Sequence, residues 1–119
     1  MNLLRRVWGF IKAPWVKKKV HHTKGPGSIY IFRHPSMPWR FYKIGMTTRC
    51  VHTRIDEWSD HYGVQVKLLG WWDTDDAFEV EQAIHEKLKS RRYKGKGFGK
   101  EFFKVSKRRA KRIIKNQIK

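Results

Sequence analysis

Acidic residues are scarce in this chain of 119 residues: ten Asp and Glu stand against 28 Lys and Arg, a formal charge of +18. Self-repulsion on that scale is unfavourable unless an anionic partner neutralises it, and nucleic acid is the commonest such partner. A single cysteine, Cys50, excludes an internal disulfide and a zinc finger built on cysteines, and it agrees with a reducing compartment. Long apolar runs are missing too. No stretch approaches the ~20 residues that cross a bilayer. The apolar run in MNLLRRVWGFIKAPW is too short for a signal peptide. No internal repeat is visible. A cytoplasmic chain associated with nucleic acid is the expectation.

What is present suffices for one small domain. Hydrophobic residues make up 39% and aromatics 14%, enough for a core. The charge is unevenly placed. Residues 1–26 hold seven Lys or Arg and no acid, residues 87–119 hold fifteen and the single acid Glu101, and residues 27–86 hold six against nine acids. A slightly acidic centre thus lies between two cationic segments, and phosphate binding by them should weaken steeply with salt.

Residue patterns place the elements. Leu3, Leu4, Val7, Trp8 and Ile11 recur at helical spacing among basic residues, which predicts a basic amphipathic helix ending near Pro14. Packing or a protein partner is favoured for its apolar face over a membrane interface. Ser28–Arg33 and Phe41–Gly45 read as strands joined by a loop with two prolines. Thr47 or Thr48 is expected to cap a helix bearing Val51, Arg54, Ile55 and Trp58. Val64–Trp72 reads as a third strand, and Asp73, Thr74, Asp75 and Asp76 open a helix running to about Leu88. A glycine-rich basic loop leads to a short strand, EFFKV, and Ser106 caps a last helix carrying Ile113, Ile114 and Ile118. The order β-β-α-β-α-β-α predicts an α+β domain with a small, mostly antiparallel sheet flanked by helices, with basic N- and C-terminal helical arms. The divisions expected are 1–26, 27–105 and 106–119.

Several short motifs in one order resemble a known family. Gly27-Ser28-Ile29-Tyr30 is similar to a GIY strand and Tyr42-Lys43-Ile44-Gly45 to a YIG strand, followed by Met46-Thr47-Thr48. Arg54 follows on the first helix, Glu81 and His85 on the next, and Gly99-Lys100-Glu101-Phe102-Phe103 comes later. Residues 27–105 thereby resemble the GIY-YIG nuclease superfamily, and within it the small phage, bacterial and fungal branch called meiotically up-regulated gene 113-like. Lys43 stands where the name-giving tyrosine would be, with Tyr42 one position early. Adjacent strand residues face opposite ways, so one of the two points into the site, and Lys43 is favoured. Trp58 replaces a His or Tyr common in the family, and Glu101 occupies the place nearest its asparagine.

The resemblance implies a Mg²⁺- or Mn²⁺-dependent endonuclease acting on DNA. Glu81 would hold the metal, Arg54 the scissile phosphate, and Tyr30 the attacking water, with Tyr42 or Lys43 and His85 assisting. These residue types suit the chemistry: a carboxylate can bind a hard cation that keeps most of its waters, and guanidinium matches phosphate geometry without titrating. A lysine could support developing charge or draw down the pKa of Tyr30. Without a third His or Cys nearby, zinc is disfavoured. Arg91, Arg92, Lys94 and Lys96 of the loop, with Lys107, Arg108, Arg109, Lys111 and Arg112 of the last helix, are the candidates for backbone binding. Two other readings stand beside this one: a non-catalytic binding protein on the same fold, structural in a nucleoprotein or phage assembly, and an RNA-directed protein that stacks bases on Trp39, Trp71, Trp72 and Tyr93.

Overall fold

Every residue from Ser28 to Phe32 is buried, which requires a strand inside a sheet that is covered on both faces. The computed structural model, which describes residues 25–118, has that arrangement. The helix and most of the linker expected at the N-terminus lie outside the described residues. The elements are β1 (Gly27–Arg33), β2 (Phe41–Thr47), α1 (Val51–Tyr62), β3 (Lys67–Thr74), α2 (Ala77–Leu88), a 3-10 turn (Lys89–Arg91), β4 (Phe102–Lys104) and α3 (Lys107–Ile118). The sheet order is β3-β1-β2-β4 and each pairing is antiparallel. Fold class and element order are those expected from the sequence.

Strand alternation divides the interior into two layers. Ile29, Ile31, Tyr42 and Ile44 point to the back, where Ile84 and Leu88 of α2 and Ala110 and Ile114 of α3 close over them. Tyr30, Phe32 and Phe102 point to the front and meet Val51 and Ile55 of α1. Each fully buried aliphatic side chain contributes roughly 1.5–3 kcal/mol. The last helix is therefore a packed layer on the back of the sheet. Ser106 caps it as expected, accepting from the Arg109 N–H at 3.2 Å.

Several boundaries differ from the sequence reading. Thr47 closes β2 and its Oγ1 accepts from the Arg49 N–H at 3.1 Å, so α1 begins only at Val51, with Cys50 at its cap and no side-chain bond there. β3 starts at Lys67, because the Val66 N–H is taken by Ser59 Oγ of α1 at 3.1 Å. It continues to Thr74 because Asp73 is held in register opposite Ser28, whose hydroxyl donates to it at 2.7 Å. Asp76 is the acid that caps α2, accepting from the Glu79 N–H.

Gly45 is fixed by sterics. It pairs with Tyr30 across β1 and β2, and a Cβ there would lie 2.6 Å from the Tyr30 hydroxyl and 2.8 Å from its ring carbon Cζ. Tyr30 cannot swing aside, since it is wedged beneath α1. Gly45→Ala is expected to lower stability by about 1–3 kcal/mol in urea unfolding, and Tyr30→Ala in the same chain should recover part of that loss. An additive pair of effects would show that the ring is not the obstacle.

Candidate active site

On the front of the sheet, one indole organises the polar side chains. Arg54 and Trp58 lie one turn apart on α1, so both project over the strands. The Trp58 Nε1–H donates to the Tyr30 hydroxyl at 2.8 Å. Lys43 Nζ sits 3.6 Å above the centre of the same indole, and the Arg54 guanidinium carbon lies 4.8 Å from it. Such cation–ring contacts contribute on the order of 0.5–2 kcal/mol each. Trp58, which departs from the family pattern, is thus the plate on which Tyr30, Lys43 and Arg54 are arrayed. Arg54 donates to Glu57 at 3.0 Å, and Glu57 is clamped from its other side by Arg49. Sequence reasoning noted Trp58 only as a departure from a pattern, with no role in the site, and missed Glu57. The helical spacing of Arg54 and Trp58 was the available clue.

The acidic part of the site forms at the edge of β2. β4 pairs with β2 only as far as Phe102 opposite Lys43. Beyond that point the Ile44 N–H donates to the Glu101 carbonyl at 3.1 Å, and the Ile44 carbonyl accepts from His85 Nε2 at 2.8 Å. A carbonyl only accepts, so this nitrogen of His85 carries the proton. Glu81, one turn before His85 on α2, accepts from the Met46 N–H. Two residues of the rear helix therefore grip the open edge of β2. From the front, Glu101 turns its carboxylate toward them while holding Lys43 Nζ at 3.0 Å. One ligand atom from each of Glu81, His85 and Glu101 lies within 4.8 Å of the others. Glu101 is thus a third potential ligand beside Glu81 and His85, one that the sequence reading did not identify.

Electrostatics follow from this crowding. Glu81 is 6% exposed, and burial, reinforced by the neighbouring Glu101 carboxylate, pushes its pKa up to about 7. Tyr30 is 1% exposed, and burial pushes it up to about 12, against the opposing pull of the Trp58 N–H and the Arg54 guanidinium. Lys43 is drawn below its ordinary value by burial, with the Glu101 carboxylate working against that shift. Burial likewise lowers His85. The cation that biases Tyr30 toward phenolate is Arg54, whereas Lys43 is engaged by Glu101.

Other residues singled out by sequence lie apart from this cluster. Tyr42 points to the back of the sheet, packed in the apolar layer with Ile29 and Ile44, since its parity on β2 is opposite to that of Lys43. Arg92 is held locally, donating from Nε to the Lys100 carbonyl at 2.7 Å and lying 5.4 Å from the Phe103 ring. Arg91, Lys94 and Lys96 are exposed beside β4. Lys107, Arg108, Arg109, Lys111 and Arg112 belong to α3, which covers the back of the sheet, across from Arg54. No described helix is long and apolar enough to cross a membrane.

A family model described as the T5orf172 domain matches residues 27–118, a span that takes in every residue of the site. No curated protein and no solved structure matches the chain.

The raised pKa of Glu81 has a testable consequence for folding. Unfolded, this carboxyl ionises near its ordinary value of 4.5, and folded only near 7. Between those values the folded state holds a proton that the unfolded state has released, so this group's contribution to stability falls as pH rises through that window. Glu81→Gln removes the effect. In urea unfolding with EDTA the variant should match wild type near pH 4.5 and exceed it by about 2–3 kcal/mol at pH 8. A pH-independent difference would show that Glu81 ionises normally in the fold.

Proposed function

We propose that this chain, which belongs to the T5orf172 domain family of small endonuclease-like domains, is an endonuclease of the GIY-YIG type that hydrolyses DNA phosphodiester bonds with a divalent cation. Its motifs resemble those of the meiotically up-regulated gene 113-like branch, which supports this reading. The observation that carries the reading is convergence: β1, β2, α1, α2 and the approach to β4 each send a polar side chain to one stretch of β2.

The donor set fits a divalent ion. Two carboxylates and an imidazole lie close together, and the Glu101 carboxylate adds to the cost of ionising the buried Glu81. Mg²⁺ would take the carboxylate oxygens and keep its waters, and Mn²⁺ would also accept the imidazole. Bound there, such an ion supplies Lewis-acid polarisation of the phosphate and a water of lowered pKa. Arg54 is half-buried, and its fork can exchange the exposed Glu57 carboxylate for the non-bridging oxygens of a phosphate. Tyr30 is a phenol at neutral pH. Because its oxygen accepts from Trp58, its own O–H is free to hold the attacking water or a phosphate oxygen. Lys43, paired to Glu101, places a positive charge where the departing oxygen gains negative charge. Water adds to phosphorus, the bridging P–O bond breaks, and the cut strand ends in a phosphate and a hydroxyl. Arg91, Lys94 and Lys96, with the cations of α3, bind the backbone elsewhere.

One observation favours a second reading, a DNA- or RNA-binding domain without cleavage. Tyr30 is almost wholly buried and Lys43 is already neutralised, so the cluster could serve only to hold the sheet edge together. Plasmid nicking separates the two. Wild type is expected to nick with Mg²⁺ or Mn²⁺ and not with EDTA, and Glu81→Ala and Arg54→Ala should each lose about 10²-fold or more in rate. Mn²⁺ should raise the melting temperature of wild type and leave that of Glu81→Gln unchanged. Equal product from wild type and Glu81→Ala would leave the binding reading alone.

A further inference from the structure

Away from the catalytic cluster, the turn between β1 and β2 presents a large apolar ring to solvent. Trp39 is 71% exposed, the most exposed of the large hydrophobic side chains among the described residues. It is held in place. The Phe41 N–H donates to the Pro38 carbonyl at 3.2 Å, closing a turn with Trp39 and Arg40 at its centre. Arg40 has φ 72°, and no other described residue except glycine has positive φ. That turn position ordinarily selects Gly or Asn. Here the backbone strain is accepted by an arginine whose guanidinium lies 4.2 Å over the Trp39 ring. The Arg40 carbonyl is tied to the end of β4 by the Val105 N–H at 2.8 Å. Nothing in the packing of the core explains a strained arginine that braces an exposed indole.

Next to this turn lies an open pocket of about 370 Å³ lined by Phe41, Arg91, Tyr93, Lys94 and Lys104. Phe41 pairs with Lys104 across β2 and β4, and the Phe41 and Tyr93 rings meet edge to face at 5.4 Å. Phe41 shares a strand face with Lys43, two residues on. Lys104 is three residues from Glu101, roughly 10 Å along the strand. Cations and flat rings therefore alternate along the same sheet edge that carries the proposed metal ligands, about one or two nucleotides away.

In a duplex the faces of the bases are covered by their neighbours, so exposed aromatics beside phosphate-binding cations suit an unstacked base. We propose that the Pro38–Phe41 turn and the adjoining pocket form a subsite for an unpaired nucleotide, which makes the preferred substrate a DNA duplex that continues into a single strand at the cleavage site. The inference rests on the reading of the domain as a DNA nuclease and specifies its substrate class.

The test is binding of the full chain, in EDTA, to a blunt duplex and to the same duplex carrying a short single-stranded tail at one end or the other, followed by fluorescence anisotropy. Wild type should bind a tailed duplex about 10-fold more tightly, the scale of one base stacked on an aromatic ring. Trp39→Ala should bring that preference near unity with blunt-duplex affinity and melting temperature unchanged. Arg40→Gly should do the same while keeping or raising the melting temperature, since glycine adopts the turn conformation without strain. Equal binding of tailed and blunt duplexes by wild type, or a preference kept by both variants, would overturn the subsite. Cleavage is a separate readout: a tail preference in a protein that does not nick DNA would sink the nuclease reading and leave the subsite standing.

Discussion

The two hydrogen bonds of Ile44 hold the proposed site together. A strand that loses its neighbour partway along leaves backbone polar groups facing outward, and such an edge must be covered or it invites other chains. Here its N–H is met by the Glu101 carbonyl and its C=O by His85. The first bond positions the Glu101 carboxylate in front of the sheet, and the second positions Glu81 and His85 from behind. Satisfying one residue's backbone thus draws together three potential ligands from segments far apart in sequence.

The same edge explains the unusual titration of the site. Buried carboxylates are unfavourable unless they are paired or neutralised. Lys43 neutralises Glu101 and reaches Glu81 only as a secondary influence. Glu81 is therefore left near the midpoint of its ionisation at neutral pH, as burial and Glu101 oppose the Met46 N–H and Lys43. A fold selected for stability alone would place an apolar residue there. Groups poised in this way cluster where charge must be exchanged with a ligand.

Much of the fold was legible because its signals are local. β1 announces its interior position by an unbroken apolar run, Ser106 caps the last helix as its hydroxyl suggests, and strand parity alone separates Lys43 from Tyr42. The boundaries of β3 were misread because distant partners decide them, Ser59 for Val66 and Ser28 for Asp73, whereas α1 starts late because Thr47 ends β2 and turns its hydroxyl to the Arg49 N–H. In the site, Glu81 and His85 are neighbours on one helix and could be paired from sequence. Glu101 could not be joined to them, since only the register of β4 against β2 brings it there. Trp58 was visible as a departure from a pattern, but its role as a platform depends on the angle at which α1 crosses the sheet.

The placement of the basic residues divides affinity from chemistry. Hydrogen bonding to phosphate requires contact at about 3 Å, and sheet and helix layers are stacked about 10 Å apart. The cations of α3 lie behind the sheet, so they cannot touch a phosphate held by Arg54 on the front. They can only contact other phosphates or raise the rate of encounter through the long-range field. In the proposed reaction, charge stabilisation at the phosphate would fall instead to Arg54 and Lys43, both of which already rest on Trp58. The net charge of the chain and the chemistry proposed for its site are therefore distinct properties: in the proposed function, the large cationic excess that dominates the composition would govern how tightly the polymer is held more than how it is cut.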